Sequence, residues 1–136
     1  MVNVTFSPEQ IQHSFNDDPE FRLYSRYWNG TLEFGVGNDS YTLTMSDGQV
    51  SAVDKHGFGG PVSSGTGSGH VQIHAPADDW AMFVQDPAPP FYLDYYSASA
   101  HHDFSLGGDP DLLWAYYPAI RRTSELFRKI AQVEGE

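Results

Sequence analysis

Apolar positions recur along this chain at two different periods. The first residues read as helix: Ser7 can cap, Pro8 takes the first helical position, and Gln10 falls where a capping box wants it. A second helix follows at once, with Asp18 as cap, Pro19 at its start, and Phe21, Tyr24 and Trp28 at helical spacing through FRLYSRYW. Asn29-Gly30 ends it. The period then falls to two. Leu32, Phe34 and Val36 share one side of a strand, Gly37-Asn38-Asp39 turns, and Tyr41, Leu43 and Met45 share one side of the next. Asp47-Gly48 is a strong hairpin signal, and QVSAV returns as a third strand.

The run 57–69, GFGGPVSSGTGSG, is mostly Gly and Ser and predicts a flap or loop. It lacks the Gly-Lys-Ser/Thr ending of a phosphate cradle. HVQIHA then reads as a strand with Val71, Ile73 and Ala75 on one face. Pro76 opens a short helix, PADDWAMFVQ, whose Asp78 and Asp79 suit the helix dipole. After DPAPP, the segment FYLDYYSASAHH predicts a helix through the spacing of Leu93, Tyr96 and Ala100. FSL at 104–106 is a short fifth strand. Asp109 caps and Pro110 starts a long terminal helix to about Ala131, which Pro118 should kink. The order predicts an α+β domain over residues 1–136, with about five strands in a mixed or antiparallel sheet covered by helices.

At 136 residues the chain suits one domain and can bury roughly two-thirds of its unfolded surface. It has no cysteine, which suits a reducing cytoplasm and removes disulfides and thiolate metal sites. With 18 acidic against 7 basic residues, the net charge of -11 repels nucleic acid. No apolar run reaches the ~20 residues of a membrane span, and MVNVTFSPEQ lacks the pattern of a signal peptide. A cytoplasmic location is expected.

Three segments in order resemble the sterol carrier protein domain family: the hairpin YTLTMSDGQV at 41–50, the strand and acidic helix start VQIHAPADDWAMFV at 71–84, and FSLGGDPDLLWAYYPAI at 104–120. The opening DPEFRLYSRYWNGTLEFGVGNDSYTL is similar to bacterial members. The resemblance covers about residues 18–130. It implies a lipid, sterol or other apolar ligand held in a tunnel between sheet and helices. Two departures, the long Gly-rich run 57–69 and DPAPP, would sit near the tunnel mouth.

Aromatic residues make up 15% of the chain, enough to wall a pocket around an amphipathic ligand as well as to fill a core. Trp28, Phe83, Phe91, Tyr95, Tyr96, Trp114 and Tyr117 are the expected ligand-binding walls. The leading expectation is a carrier, monomeric or a homodimer, for an apolar small molecule.

The alternative is a cofactor-independent isomerase, cyclase or lyase using the same cavity, with Asp94, His101 and His102 as acid–base groups. Tyr95, Tyr96 and Asp103 are further candidates in the same stretch. An interaction domain with an incidental pocket is the third reading. No cofactor motif is present and no metal is expected. His70 and His74 have helical zinc spacing but lie in a strand, where four residues span ~13 Å and cannot share one ion. His101-His102-Asp103 would need a loop to bring both imidazoles inward.

Overall fold

Local caps start the first two helices where the sequence places them. The computed structural model describes residues 2–61 and 69–135. After a three-residue strand β1 (Asn3–Thr5), helix α1 (Pro8–Asp17) begins with the Ser7 hydroxyl accepting the Gln10 N–H at 3.3 Å. Helix α2 (Pro19–Tyr24) begins with Asp18 accepting the Phe21 N–H at 2.8 Å. It is shorter than the aromatic spacing predicts. Ser25 leaves the helix and donates its hydroxyl to the Gly48 carbonyl at 2.8 Å, and Tyr27 takes a left-handed φ of 69°. Tying the chain to the 47–48 turn outweighs one more helical turn, and Trp28 reaches the core from a loop.

The meander follows as β2 (Gly30–Val36), β3 (Asp39–Ser46) and β4 (Gln49–Gly57). β4 continues four residues beyond QVSAV, since Asp54 to Gly57 still pair with β3. Strand β5 (His70–Ala75) leads into helix α3 (Ala77–Phe83).

Helix α4 (Tyr95–His101) starts later than the spacing of Leu93, Tyr96 and Ala100 implies, and it buries Tyr95 and Ala98 instead. Asp94 is its N-cap, and Phe91 has a left-handed φ of 66°, so the residues before Tyr95 cannot be helical. Strand β6 (Ser105–Gly108) completes the main sheet. Pro118 does more than kink the terminal helix: α5 (Pro110–Ala115) and α6 (Tyr117–Ile130) are separate, with Pro118 in the first turn of α6. Strand β7 (Gln132–Glu134) pairs antiparallel with β1, a two-stranded ribbon the sequence pattern did not reveal.

The fold is α+β. Its five-stranded mixed sheet has the order β4-β3-β2-β5-β6, with β2 and β5 parallel and every other pair antiparallel. Leu32, Phe34, Tyr41, Leu43, Val71 and Ile73 face the helices, where they join Ile11, Phe15, Trp80, Ile120 and Phe127 in one core.

The strand order forces the Gly-rich connection from β4 to β5 to cross β3 and β2. It does so on the face away from the helices: Phe58 stacks on His74 with ring centres 3.9 Å apart, and the Gly60 carbonyl accepts from Gln72 at 3.0 Å. Gly35 makes the crossing possible, because a β-carbon there would stand 2.6 Å from His74 and 3.0 Å from Phe58. The remainder of the run, 62–68, lies outside the described residues. Among the described residues, no helix is long and apolar enough to cross a membrane.

Candidate functional site

Aromatic rings fill the layer between sheet and helices. Phe6, Phe34, Trp80, Tyr95 and Phe127 form a network of edge-on or tilted contacts with ring centres 4.6 to 6.3 Å apart, a packing worth ~0.5–1.5 kcal/mol per pair beyond the area buried. Three of the expected ligand walls belong to this interior. Trp28 stacks on Tyr116 at 4.8 Å, and Phe83 stacks on Tyr95 at 4.8 Å. The Tyr95 hydroxyl meets Thr123 Oγ1 at 2.6 Å, and burial raises its pKa well above the usual tyrosine value. Among the described residues the Trp28 Nε1–H finds no acceptor.

The other expected walls come to the surface. Phe91, Tyr96 and Trp114 are each at least half exposed. Tyr96 and Trp114 meet edge-on at 5.8 Å, Trp114 and Tyr117 lie 5.3 Å apart, and the Tyr117 hydroxyl accepts the Tyr96 N–H at 2.9 Å. Burial, helped by Asp94, pushes Tyr117 up to about 12.

Leu93, 65% exposed, stands between two open grooves on α6. One, of about 540 Å³, is lined by Pro87, Ala88, Leu93, Arg128 and Lys129 with Asp86, Arg122 and Glu125. The other, of about 290 Å³, adds Glu20, Tyr24, Pro118, Arg121 and Ser124 and shares Leu93, Arg122 and Glu125. Four of the seven basic residues of this acidic chain therefore meet here.

These cations are held differently. Arg122 is surrounded by Asp18, Glu20 and Glu125. Arg128 has carbonyl partners instead: Phe83 O at 3.0 Å and Tyr92 O at 2.7 Å, with its guanidinium 5.0 Å from the Phe83 ring centre. Burial lowers the Arg128 pKa from its ordinary value. Arg128 thus separates the open groove from the Phe83–Tyr95 stack.

Of the acid–base candidates, Asp94 reaches a groove-lining residue. Asp94 caps α4, accepting the Ser97 N–H at 2.9 Å, and pairs with Arg121 at 3.5 Å. His101 stacks on Phe91, and His102 stacks on Tyr92 while facing the Pro90 carbonyl at 3.2 Å. Asp103 is exposed. The two imidazoles pack on different rings and do not converge.

A polar cluster that sequence reasoning missed lies on the opposite face of the sheet. Glu33 in β2 is almost fully buried, with its carboxylate accepting from Ser40, from Gln72 at 3.1 Å and from His70 Nε2 at 3.1 Å. Burial works to raise the Glu33 pKa, but these three donors outweigh it and hold the pKa below its ordinary value. His70 Nδ1 lies 2.6 Å from Thr31 Oγ1. His74 goes elsewhere, to Phe58 and the Gly37 carbonyl. The one available signal was a Glu at an alternating, outward strand position beside two histidines of another strand; only the parallel register of β2 and β5 joins them.

A five-stranded mixed sheet with helices on one face and a long helix near its C-terminal end defines the fold class of the sterol carrier proteins. The structure superposes on a crystal structure of sterol carrier protein 2 with a TM-score of 0.69 at 16% identity, covering 92% of this chain and 98% of that one. It matches the solution structure of a conserved hypothetical protein of Thermus thermophilus, named as a candidate sterol carrier protein, with a TM-score of 0.66 at 16% identity over 92% and 88% of the two chains. No protein-family model and no curated protein matches the sequence.

Proposed function

We propose that this protein binds an apolar small molecule (a lipid, sterol or polycyclic compound) and admits it through the grooves on either side of Leu93. The observation that carries this reading is the pair of confluent openings of about 540 and 290 Å³ around an exposed leucine. The larger lies within the size range of small-molecule sites, roughly 300–1,000 Å³. Pro87, Ala88, Leu93, Tyr24 and Pro118 offer apolar surface, worth ~25 cal/mol per Å² removed from water. Burying the Leu93 side chain under a ligand alone would contribute ~1.5–3 kcal/mol. The sterol carrier fold supports the reading. A tail reaching the sheet would have to displace Arg128 from the Phe83 and Tyr92 carbonyls, so the aromatic interior supports a ligand held at the mouth more than one enclosed beneath the sheet.

The test is native mass spectrometry and organic extraction of freshly purified protein, followed by titration with a fluorescent sterol and a fluorescent fatty acid. Saturable one-to-one binding is expected for at least one probe, weakened tenfold or more in Leu93→Arg and unchanged in Val133→Arg, a half-exposed position on β7. Absence of saturable binding, or equal affinity in both variants, would overturn the proposal.

A further inference from the structure

The Thr31–His70–Glu33 chain lies on the face of the sheet away from the grooves and plays no part in the binding proposed above. With Glu33 ionised and His70 neutral, one set of proton directions fits these contacts. An ionised Glu33 can only accept, so the His70 Nε2 that faces it at 3.1 Å carries a hydrogen. In the neutral imidazole Nδ1 is then the acceptor, and the Thr31 hydroxyl, 2.6 Å away, donates to it. A hydroxyl whose proton points at an imidazole, itself oriented by a buried carboxylate, is the constellation of nucleophilic acyl transfer. The ring is turned relative to the usual serine triad, in which Nε2 faces the hydroxyl.

We propose that Thr31 is a base-activated hydroxyl that accepts acyl groups from small activated esters, with His70 as general base and Glu33 as the positioning residue. The relay runs outward: the Glu33 side chain is 10% exposed and that of His70 26%. A tie between β2 and β5 needs only a neutral pair, since burying an ionised carboxylate costs several kcal/mol before its partners offset it. Three donors on one buried anion match the requirement for holding an imidazole in a single tautomer.

In the reaction, Thr31 Oγ1 attacks the ester carbonyl carbon while its proton passes to His70 Nδ1. The bond from that carbon to the leaving oxygen breaks, and the leaving alkoxide takes the proton from His70. Water then attacks the Thr31 ester by the same route, which releases the carboxylic acid and restores the hydroxyl.

The chain contains its own control. Thr42 Oγ1 lies 2.7 Å from His56 Nε2, but His56 Nδ1 is oriented by the Gly57 carbonyl at 2.9 Å and, among the described residues, by no carboxylate. The full chain is incubated with p-nitrophenyl acetate, and acetylated sites are located by peptide mass spectrometry. Thr31 is expected to label at least tenfold faster than Thr42, with a burst of nitrophenolate. Labelling should disappear in Thr31→Val and fall tenfold or more in His70→Asn, with unchanged circular dichroism. In Glu33→Gln the pH profile of labelling should be displaced, whereas mere loss of folding would lower its amplitude without moving it. Equal labelling of Thr31 and Thr42 in the unaltered chain, or wild-type labelling of Thr31 in His70→Asn, overturns the proposal even if other variants fail to fold.

Discussion

Arg122 on α6 holds both carboxylate oxygens of Asp18, with Nε and Nη2 each 3.0 Å away across 104 residues of sequence. Asp18 is also the N-cap of α2, so one side chain fixes both where α2 starts and how it packs on α6. Both side chains are mostly buried, at 10% and 18% exposure, which keeps this pair from being a screened surface contact. Asp18→Ala removes the cap and leaves a mostly buried guanidinium short of one anion. The expected loss is ~2–4 kcal/mol, read from urea denaturation. Asp18→Asn keeps a cap acceptor and loses the charge, so its loss should be about half as large. Equal losses would assign the whole effect to the ion pair.

The same contact predicts the acid limb of the stability curve. The Arg122 hydrogen bonds, aided by the Phe21 N–H and opposed by burial, hold the Asp18 carboxyl below its ordinary value. A depressed carboxyl stabilises the fold above its unfolded pKa, ~3.9 for Asp, and that contribution is lost as pH falls through the folded value. Glu33 is shifted in the same direction. The urea midpoint should therefore drop below about pH 4, and Asp18→Asn should flatten that drop. An identical slope in the variant would remove Asp18 from the acid transition.

How much of this was legible follows from how local each signal is. Ser7-Pro8, Asp18-Pro19 and Asp109-Pro110 act within three residues, and all three start helices as read. The meander's alternation is equally local. The end of α2 was not, because Ser25 is drawn to Gly48, 23 residues away. In the 91–102 segment the cap preference of Asp94 overrode the apolar spacing. β1 and β7 are three residues each, too short to show a period. The Thr31–His70–Glu33 chain depends on parallel pairing of β2 with β5, strands separated by β3, β4 and the Gly-rich run, which no local pattern encodes.

Gly35 is the position where the crossing strap presses on the sheet. A β-carbon there would meet His74 at 2.6 Å and the Phe58 ring at 3.0 Å. Gly35→Ala should push Phe58 off His74 and cost ~1–3 kcal/mol through overpacking. Because Phe58 lies in the strap, the change should show first as faster chymotryptic cleavage after Phe58 under native conditions. Unchanged cleavage would mean that the strap is held by Gly60 and Gln72 rather than by the Phe58–His74 stack.

Tyr92 sets the alkaline limit. Its hydroxyl donates to Asp79 Oδ1 at 2.7 Å, and its ring lies against His102 at 3.8 Å. Burial, then the Asp79 carboxylate, pushes its pKa up to about 12. Burial pushes Tyr117 to about 12 as well, and Tyr95 is raised for the same reason. A raised folded pKa gives stability that is fully present below the unfolded value, ~10 for Tyr, and lost as pH climbs through the folded one. The protein should therefore weaken between pH ~10 and 12, with part of its tyrosine absorbance change appearing only as it unfolds. Tyr92→Phe removes one late-titrating group and leaves Asp79 without its partner. It should cost ~1.5–3 kcal/mol at neutral pH and give a shallower alkaline decline. If the variant instead declines as steeply as the parent above pH ~10, the alkaline limb belongs to Tyr95 on α4 and Tyr117 at the start of α6 rather than to the Tyr92–Asp79 contact.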